Sequence, residues 1–422
     1  MNNRLMPHRQ KDSTARLNVR TEEPQPARIP FAVPDIGNEE IAEVVETLRS
    51  GWITSGPRTE QFEREFCEYT SAVHALAVNS CTAGLHLALA ALGIGPGDEV
   101  ITTPLTFCAT VNVILETGAA VVLADTGPDF NIDPVAVARL ITPRTRAILP
   151  VHMAGLACDM NAIWRLAREH GLKVIEDAAH ATGTTYQGRR VGSGPSDAVA
   201  FSFYATKNLT TGEGGMVTTP SRELEERMRV LCLHGISRDA WDRYTEKGNW
   251  YYEVIDRGYK YNMSDIHAAI GIQQLRKLER MNGRRAEIAM RYNAAFREVE
   301  EVETPPSGEG HAWHLYILRL NLSRLAVDRS TFIEEMRARR IGCSVHFIPI
   351  PMHPYYKKTL EMRDPCARAL AEYPRLVSLP MYSKMSDDDI DRVIDAVKEI
   401  VARHRVKENE AVCHAALLET QS

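Results

Sequence analysis

The stretch from Val174 to Gly215, VIEDAAHATGTTYQGRRVGSGPSDAVAFSFYATKNLTTGEGG, contains two short apolar runs, and each is followed by a charged residue. The first run ends at Asp177. The second runs from Ala198 to Phe203 and is followed closely by Lys207. Their composition predicts two buried strands. Because ligands of open α/β sheets bind beyond the carboxyl ends of parallel strands, we expect Asp177 and Lys207 to meet in one crevice.

An aspartate and a lysine in one crevice suit the chemistry of pyridoxal 5'-phosphate (PLP). The lysine can form a Schiff base with the PLP aldehyde, and the aspartate can keep the pyridine nitrogen protonated so that the ring withdraws electrons from a carbanion. For any single Asp and Lys, an ordinary ion pair or two unrelated surface residues is the alternative. The surrounding sequence decides between these interpretations.

Short apolar strands alternate with helices around this stretch, and this alternation predicts a largely parallel sheet covered by helices on both faces. Before it, the predicted strands are 74–79, 99–103, 121–125 and 147–151, and the predicted helices include 34–51, 60–70 and 159–170. After it, a long helix over 273–299 is predicted to lead into a smaller α+β domain. That domain has predicted strands at 314–320 and 341–347 and helices at 331–340 and 386–402.

The composition indicates a large cytoplasmic protein. The chain has 422 residues, of which 44% are apolar, and this suffices for two domains. The net charge of −5 and the lack of a basic tract argue against nucleic acid as a partner. Eight scattered cysteines without metal-like spacing are expected to be reduced thiols, with no metal site. No apolar run approaches the roughly 20 residues of a membrane span, and no secretion signal is recognisable.

Ser80, Cys81 and Thr82 lie between a predicted strand and a strongly helical stretch. This placement puts free backbone N–H groups and two hydroxyls at the start of a helix. A phosphate dianion suits such a place because the unpaired donors and the helix dipole both point at it. Ordinary capping of the helix by Ser80 or Thr82 is the alternative.

Three motifs between Val174 and Gly215 resemble the DegT/DnrJ/EryC1/StrS family of PLP-dependent sugar aminotransferases. They are Asp177-Ala-Ala-His180, Ser202-Phe-Tyr-Ala-Thr-Lys207-Asn and Gly212-Glu-Gly-Gly215. The resemblance covers roughly residues 30–400. It implies an α/β protein of PLP-dependent transferase fold type I, with a large domain built on a mostly parallel seven-stranded sheet flanked by helices, and a smaller C-terminal α+β domain.

On this basis we predict a large PLP-binding domain over residues 29–280 and a small C-terminal domain over 281–404. Residues 1–28 are polar and are predicted to be a poorly ordered N-terminal segment. Residues 405–422 are predicted to be a flexible tail.

The resemblance also implies which residues contact the cofactor. Lys207 is expected to form the Schiff base, and Asp177 to bind the pyridine nitrogen. Phe107 matches an aromatic residue over the ring, and His180 matches a residue that contacts the ring or its 3-hydroxyl. A core phenylalanine and a satisfied buried histidine are the alternatives. Cys81 stands where the family usually has glycine. The residues expected at the phosphate are Ser80, Cys81, Thr82, Ser202 and Asn262.

Other matches concern the sugar substrate and the partner subunit. Asn262 lies in a loop that, in the family, crosses to the neighbouring subunit and reaches its PLP phosphate, so a homodimer with shared active sites is implied. His346 matches a histidine near the sugar site. Tyr204 stands where many relatives have histidine. Trp241 lies in a loop that could bind a sugar diphosphate or form a dimer contact.

The implied reaction moves an amino group from L-glutamate to a nucleotide-diphosphate-linked keto sugar, in two half-reactions. Two segments, 239–244 and 258–262, are most similar to relatives acting at a 4-keto carbon, and a 3-keto sugar is the alternative. A sugar dehydratase on the same scaffold would have histidine in place of Lys207. A non-catalytic regulatory homologue is expected to lose Lys207 or Asp177, and this sequence has both.

Overall fold

The computed structural model describes residues 27–237 and 251–406. The helices in these ranges are α1 (Asn38–Ser50), α2 (Pro57–Thr70), α3 (Cys81–Ala91), α4 (Cys108–Glu116), α5 (Pro134–Leu140), α6 (Met160–His170), α7 (Arg222–Cys232), α8 (Asp265–Arg276), α9 (Leu278–Phe296), α10 (Arg329–Ala338), α11 (Pro354–Thr359), α12 (Ala367–Glu372) and α13 (Asp387–Arg403). The strands are β1 (His74–Val78), β2 (Glu99–Thr102), β3 (Ala120–Leu123), β4 (Thr145–Leu149), β5 (Lys173–Asp177), β6 (Thr185–Tyr186), β7 (Arg189–Arg190), β8 (Ala198–Ser202), β9 (Gly215–Thr219), β10 (Val302–Glu303), β11 (Tyr316–Leu320) and β12 (Leu376–Leu379).

A seven-stranded sheet in the order β1-β9-β8-β5-β4-β2-β3 forms the centre of the larger part of the chain. Strands β8, β5, β4, β2 and β3 pair in parallel. Both faces are buried: Val100 and Ile175 belong to a cluster on one face, and Ile101 and Ile148 to a cluster on the other. This arrangement confirms the predicted fold class, because parallel strands with buried faces read as continuous apolar runs.

Strand β9 is the element of this sheet that the sequence analysis missed. It runs antiparallel to both β1 and β8 and fills the gap between them. Its first residue, Gly215, lies against the start of α3, where a β-carbon would come within 2.7 Å of the backbone N of Cys81. A side chain at this position would therefore push β9 away from the helix.

The strand order places Asp177 and Lys207 at the same edge of the sheet. Asp177 is the last residue of β5 and pairs with Ala200 of the parallel neighbour β8. Lys207 follows the end of β8 after a short turn, in which its N–H donates to the Tyr204 carbonyl at 2.9 Å. The start of α3 lies at this edge too, because that helix follows β1 directly.

A second core lies around the three-stranded sheet β10-β11-β12. Apolar residues of α9, α10 and α13 pack on it, and Ile29 joins the same cluster. The predicted domain boundary at residue 280 falls within α9. Residues Leu278 and Met281 pack with the large sheet, whereas Tyr292 packs in the second core. The division into two domains remains a prediction. Of the predicted flanking segments, residues 1–26 and 407–422 lie outside the described residues.

Two predicted elements of the C-terminal half differ from the observed ones. The helix predicted over 273–299 is two helices, because Lys277 leaves the helical conformation (φ −108°, ψ 5°). The strand predicted over 341–347 is absent. Ile341 and Ser344 form only isolated bridges, to Ile29 and Ser378. With backbone partners at only two points, no continuous ladder of hydrogen bonds forms. The end of the segment, His346 and Phe347, instead lines a cavity.

Helix α1 buries its polar side rather than its apolar side. Glu40 is buried, and its carboxylate accepts from Lys277 Nζ at 2.6 Å. Ile41 and Leu48, on an adjacent side, are 56% and 53% exposed. Exposed apolar residues on one helix face are typical of a surface that contacts another protein. Among the helices of the described ranges, none has both the length and the apolar character needed to cross a membrane.

Candidate active site

A cavity of about 520 Å³ lies beyond the carboxyl ends of β5 and β8. It collects residues from the large sheet, from the helices that follow its strands, and from the segment after α10. The predicted site residues that line it are Ser80, Cys81, Thr82, Phe107, Asp177, His180, Ser202, Tyr204, Lys207 and His346. The sheet topology therefore brings together residues that are far apart in the sequence.

Two predicted site residues are not part of this cavity wall. Asn262 donates from Nδ2 to Ser55 Oγ at 2.6 Å and forms a backbone bridge with Val78. It therefore lies beside the end of β1 in its own chain. Trp241 lies outside the described residues.

Asp177 is only 5% exposed and is held by two hydrogen bonds of ordinary length. Its Oδ1 accepts from the Ala179 N–H at 3.1 Å, and its Oδ2 accepts from Thr110 Oγ1 at 2.8 Å. Burial raises the pKa of Asp177, and these two hydrogen bonds and the charge of Lys207 oppose that rise. A cation placed against this carboxylate would thus be strongly favoured, as the protonated nitrogen of a pyridine would be.

Lys207 lines the same cavity and is partly buried. Burial lowers the pKa of its amine to about 8, although the neighbouring Cys81 and Asp177 act in the opposite direction. An amine with a lowered pKa is more readily present in its neutral form, which is the form that acts as a nucleophile or as a base. Lys207 therefore has the properties that both roles require.

The start of α3 forms the cavity wall with free N–H groups. Ser80 caps the helix, because its Oγ accepts from the Ala83 N–H at 3.1 Å. The capping alternative is therefore realised, but it leaves the N–H groups of Cys81 and Thr82 without an acceptor among the described residues. Ser202 pairs with Gly215, which lies against the start of α3, and its Oγ accepts a long hydrogen bond of 3.4 Å from the Tyr204 N–H. This donor set fits a phosphate group.

Aromatic rings cover another side of the cavity. Phe107 caps α4 and is 60% exposed, so it is not a core residue. The Phe347 ring lies 6.1 Å from Phe107 and stacks at 5.8 Å on His180. Burial holds the pKa of His180 well below its usual range, and its Nδ1 accepts from the Ala154 N–H at 3.3 Å. His180 is therefore neutral, with its proton on Nε2.

His346 reaches the cavity from the segment after α10. Its Nδ1 lies 2.8 Å from Ser378 Oγ, and its ring stacks on Phe31 at 5.5 Å. Burial lowers the pKa of His346 to about 4, and the charge of Lys207 acts in the same direction. The imidazole is therefore neutral at physiological pH and can accept or donate a hydrogen bond.

Several cavity residues were missed by the sequence analysis: Thr106, Thr110, His314 and Phe347. Thr110 could have been found, because it follows Phe107 by three residues at the start of a helix and so lies on the same face. His314 has no such local signal. Its ring comes within 4.5 Å of His180 only through tertiary packing.

The combined residues fit PLP. A buried carboxylate can pair with the ring nitrogen, a lysine with a lowered pKa can react with the aldehyde, and free N–H groups at a helix start can bind the phosphate. Exposed and stacked aromatic rings can hold the pyridine face. Among the described residues, no group of three or more His, Cys, Asp or Glu is arranged to hold a metal ion.

Most of the chain is similar to known aminotransferases. Residues 34–398 match the model of the DegT/DnrJ/EryC1/StrS aminotransferase family. The spore coat polysaccharide biosynthesis protein SpsC of Bacillus subtilis (strain 168) is 54% identical over 378 residues, covering 88% of this chain and 97% of SpsC. Spr1654 from Streptococcus pneumoniae, solved in a PLP form, has a TM-score of 0.83 and 34% identity, covering 89% of this chain and 99% of its own. The sugar aminotransferase CalS13 from Micromonospora echinospora has a TM-score of 0.79 and 30% identity, covering 88% and 99%.

Proposed function

Because the chain belongs to the DegT/DnrJ/EryC1/StrS aminotransferase family and is a PLP-dependent sugar aminotransferase, we propose that it moves the amino group of L-glutamate to a nucleotide-diphosphate-linked keto sugar. The observation that carries the proposal is the delivery of Asp177 and Lys207 into one cavity by neighbouring parallel strands. The relative SpsC is named for polysaccharide biosynthesis, which supports an activated sugar as the acceptor.

PLP supplies an aldehyde that combines with amines and a ring that stabilises negative charge on the carbon next to the nitrogen. We assign Asp177 to the ring nitrogen, where its carboxylate holds the nitrogen's proton. Phe107 orients the ring by stacking, and the neutral His180 donates from Nε2 toward the ring or its 3-hydroxyl. The groups assigned to the phosphate are those of Ser80, Cys81, Thr82 and Ser202.

Lys207 is the residue that we assign to proton transfer. Its Nζ, with a pKa lowered to about 8, accepts the proton from the carbon that bears the amino group of the donor. In the second half-reaction the same Nζ returns a proton to the former keto carbon of the sugar.

The sugar is assigned to the side of the cavity near His346 and Tyr204. His346 is neutral and is held by Ser378, so it can bind a sugar hydroxyl without attracting a counter-charge. Tyr204 is 47% exposed and offers a ring face and a hydroxyl to a ligand that enters from solvent. We assign Trp241 to the same substrate and propose a 4-keto carbon as the acceptor, with a 3-keto carbon as the alternative.

The proposed reaction predicts two separable spectral changes. L-Glutamate alone should convert the bound PLP to its pyridoxamine form, with loss of the visible absorption, because the first half-reaction needs no sugar. A nucleotide-linked 4-keto sugar should then restore the absorption and become aminated, as measured by mass spectrometry. A 3-keto sugar serves as the comparison.

Failure of L-glutamate to bleach the absorption, while another amino acid does so, would refute the proposed donor. Amination of the 3-keto sugar alone would refute the 4-keto assignment. If the pyridoxamine form that L-glutamate produces aminates neither keto sugar, the proposal of a nucleotide-linked keto sugar as the acceptor is wrong.

We further propose that the protein is a homodimer in which Asn262 reaches the PLP phosphate of the partner subunit. The exposed apolar residues Ile41 and Leu48 of α1 support a surface that contacts a second copy. In its own chain Asn262 is held by Ser55 beside the end of β1, which places it outside its own cavity wall.

Shared sites predict complementation between two impaired variants. Lys207→Ala removes the lysine from a site, and Asn262→Ala weakens PLP binding at the site of the partner. Mixed dimers of the two variants contain one intact site, so random mixing should restore about a quarter of the wild-type activity. The control is Lys207→Ala mixed with the Lys207→Ala/Asn262→Ala double variant, which has no intact site. Verified mixed dimers without recovered activity would contradict the shared site.

A further inference from the structure

Two buried threonines, Thr106 and Thr110, connect Asp177 to the start of α4. Thr110 Oγ1 lies 2.8 Å from Asp177 Oδ2 and 2.8 Å from Thr106 Oγ1. The other carboxylate oxygen, Oδ1, accepts from the Ala179 N–H at 3.1 Å, and Cys81 Sγ lies 3.9 Å from it. The carboxylate is therefore surrounded by donors, with the threonine hydroxyl as the strongest side-chain donor.

The direction of these hydrogen bonds follows from the number of protons. Each threonine hydroxyl carries one proton. If Thr110 donates to Asp177, Thr106 must donate to Thr110, and both hydroxyl protons then have an acceptor. The reverse direction needs a protonated Asp177, and it leaves the Thr106 proton without an acceptor in residues 27–237 and 251–406. A hydroxyl that donates to a carboxylate stabilises its charged form, so the pair favours the ionised carboxylate.

Burial acts against this ionised form, because it raises the pKa of Asp177. The hydrogen bonds from Ala179 and Thr110 lower that pKa and so offset part of the desolvation cost. Thr110 also lies one helical turn after Phe107, the residue assigned to the pyridine face. One helix start therefore provides both the ring contact and the support for the carboxylate.

We propose that Thr106 and Thr110 are a pair of positioning residues that keep Asp177 ionised and directed at the pyridine nitrogen of PLP. The inference rests on the proposed role of Asp177 and deepens it. Neither threonine is assigned a contact with the substrate. Their effect on the reaction is transmitted through the carboxylate alone.

The test is the affinity of the cofactor-free protein for PLP, measured by fluorescence titration. Thr110→Val removes the donor with little change in volume and should raise the Kd for PLP by about 10- to 100-fold, because the hydrogen bond goes to a charged group. Thr110→Ser keeps the hydroxyl and should stay near the wild-type Kd. Thr106→Val should raise Kd by about threefold, since Thr110 still donates in that variant. Thr102→Val is the matched control, because its buried hydroxyl donates to the Leu149 carbonyl away from the cavity.

A double-mutant cycle separates the proposed role from a structural one. In an Asp177→Asn background, Thr110→Val should change the Kd for PLP by less than about twofold. The same loss of PLP affinity in the wild-type and Asp177→Asn backgrounds would overturn the proposal, because the threonine would then act independently of the carboxylate. If Thr110→Val does not fold, the proposal is tested with Thr106→Val instead. A wild-type Kd for PLP in that variant would overturn the positioning role of the two threonines. PLP binding needs neither L-glutamate nor a sugar, so this result is independent of whether the proposed substrates are right.

Discussion

Replacement of Lys207 by alanine is expected to lower the rate of sugar amination by at least about 10³-fold, because one side chain serves as both base and nucleophile. The fold should remain intact, since burial of this amine opposes its charged form and alanine removes that cost. The measurements are the steady-state rate of amination, the circular dichroism spectrum and the melting temperature. Treatment with borohydride should attach PLP permanently to the wild-type chain but not to Lys207→Ala, as seen by mass spectrometry.

Lys173→Ala is the matched control for this variant. Lys173 opens β5 at the amino end of the sheet, where its Nζ pairs with Asp197 at 3.0 Å. Half of its side chain is exposed, so its loss should cost at most about 1 kcal/mol of stability and leave the rate unchanged. If Lys207→Ala retains more than about 1% of the wild-type rate, the assignment of Lys207 is wrong.

Replacement of Asp177 by asparagine is expected to lower the rate by about 10²–10³-fold, the effect typical of removing one preorganised electrostatic contact. A neutral amide does not keep the pyridine nitrogen protonated, so the ring withdraws electron density less strongly. The Kd for PLP should rise as well. The decrease should appear in kcat for both half-reactions, because the ring nitrogen takes part in each of them.

The same variant should change the pH dependence of stability of the cofactor-free protein. Because burial raises the pKa of Asp177, the folded protein binds this proton more tightly than the unfolded chain. The contribution of Asp177 to stability is therefore present at low pH and is lost as the pH rises through its raised pKa. The melting temperature of Asp177→Asn should thus improve relative to wild type as the pH rises from about 4 to about 7. A constant difference over this range would contradict a raised pKa.

Added PLP should instead favour the stability of wild type over that of Asp177→Asn. The protonated pyridine nitrogen supplies a positive charge next to the buried carboxylate, so PLP should raise the melting temperature of wild type more than that of Asp177→Asn. Asp197→Asn is the control, because Asp197 binds Lys173 and the Val174 N–H at the opposite edge of the same two strands. Equal stabilisation of wild type and Asp177→Asn by PLP would exclude a contact between Asp177 and the ring nitrogen.

Local patterns in the sequence determined the central architecture. The apolar runs that end at Asp177 and Phe203 predicted strands, and the alternation with helices predicted parallel pairing. The carboxyl ends of parallel strands share one edge of the sheet, so these two facts were sufficient to predict that Asp177 and Lys207 approach each other. The start of α3 was predictable for the same reason, because a small polar segment between a strand and a helix is a local feature.

Tertiary structure alone decided which neighbours complete the cavity. Thr110 is 67 residues from Asp177 in the sequence, and His314 enters beside His180 only because the second core packs against the large sheet. The segment 341–347, predicted as a strand, instead carries His346 into the cavity. Periodicity reports where the apolar side of an element lies, but it does not report which element covers that side, since long-range contacts depend on the packing of the whole chain.

The exposed apolar side of α1 is the clearest example of this difference. The sequence predicted a helix over 34–51, and that helix is present as α1, with Ile41 and Leu48 on one face. Packing decided that an adjacent, polar face is buried, because Glu40 pairs there with Lys277 at the start of α9, which satisfies its charge. An amphipathic pattern determines that a helix forms and where its apolar face lies, whereas the partners available in the folded chain determine which face is covered.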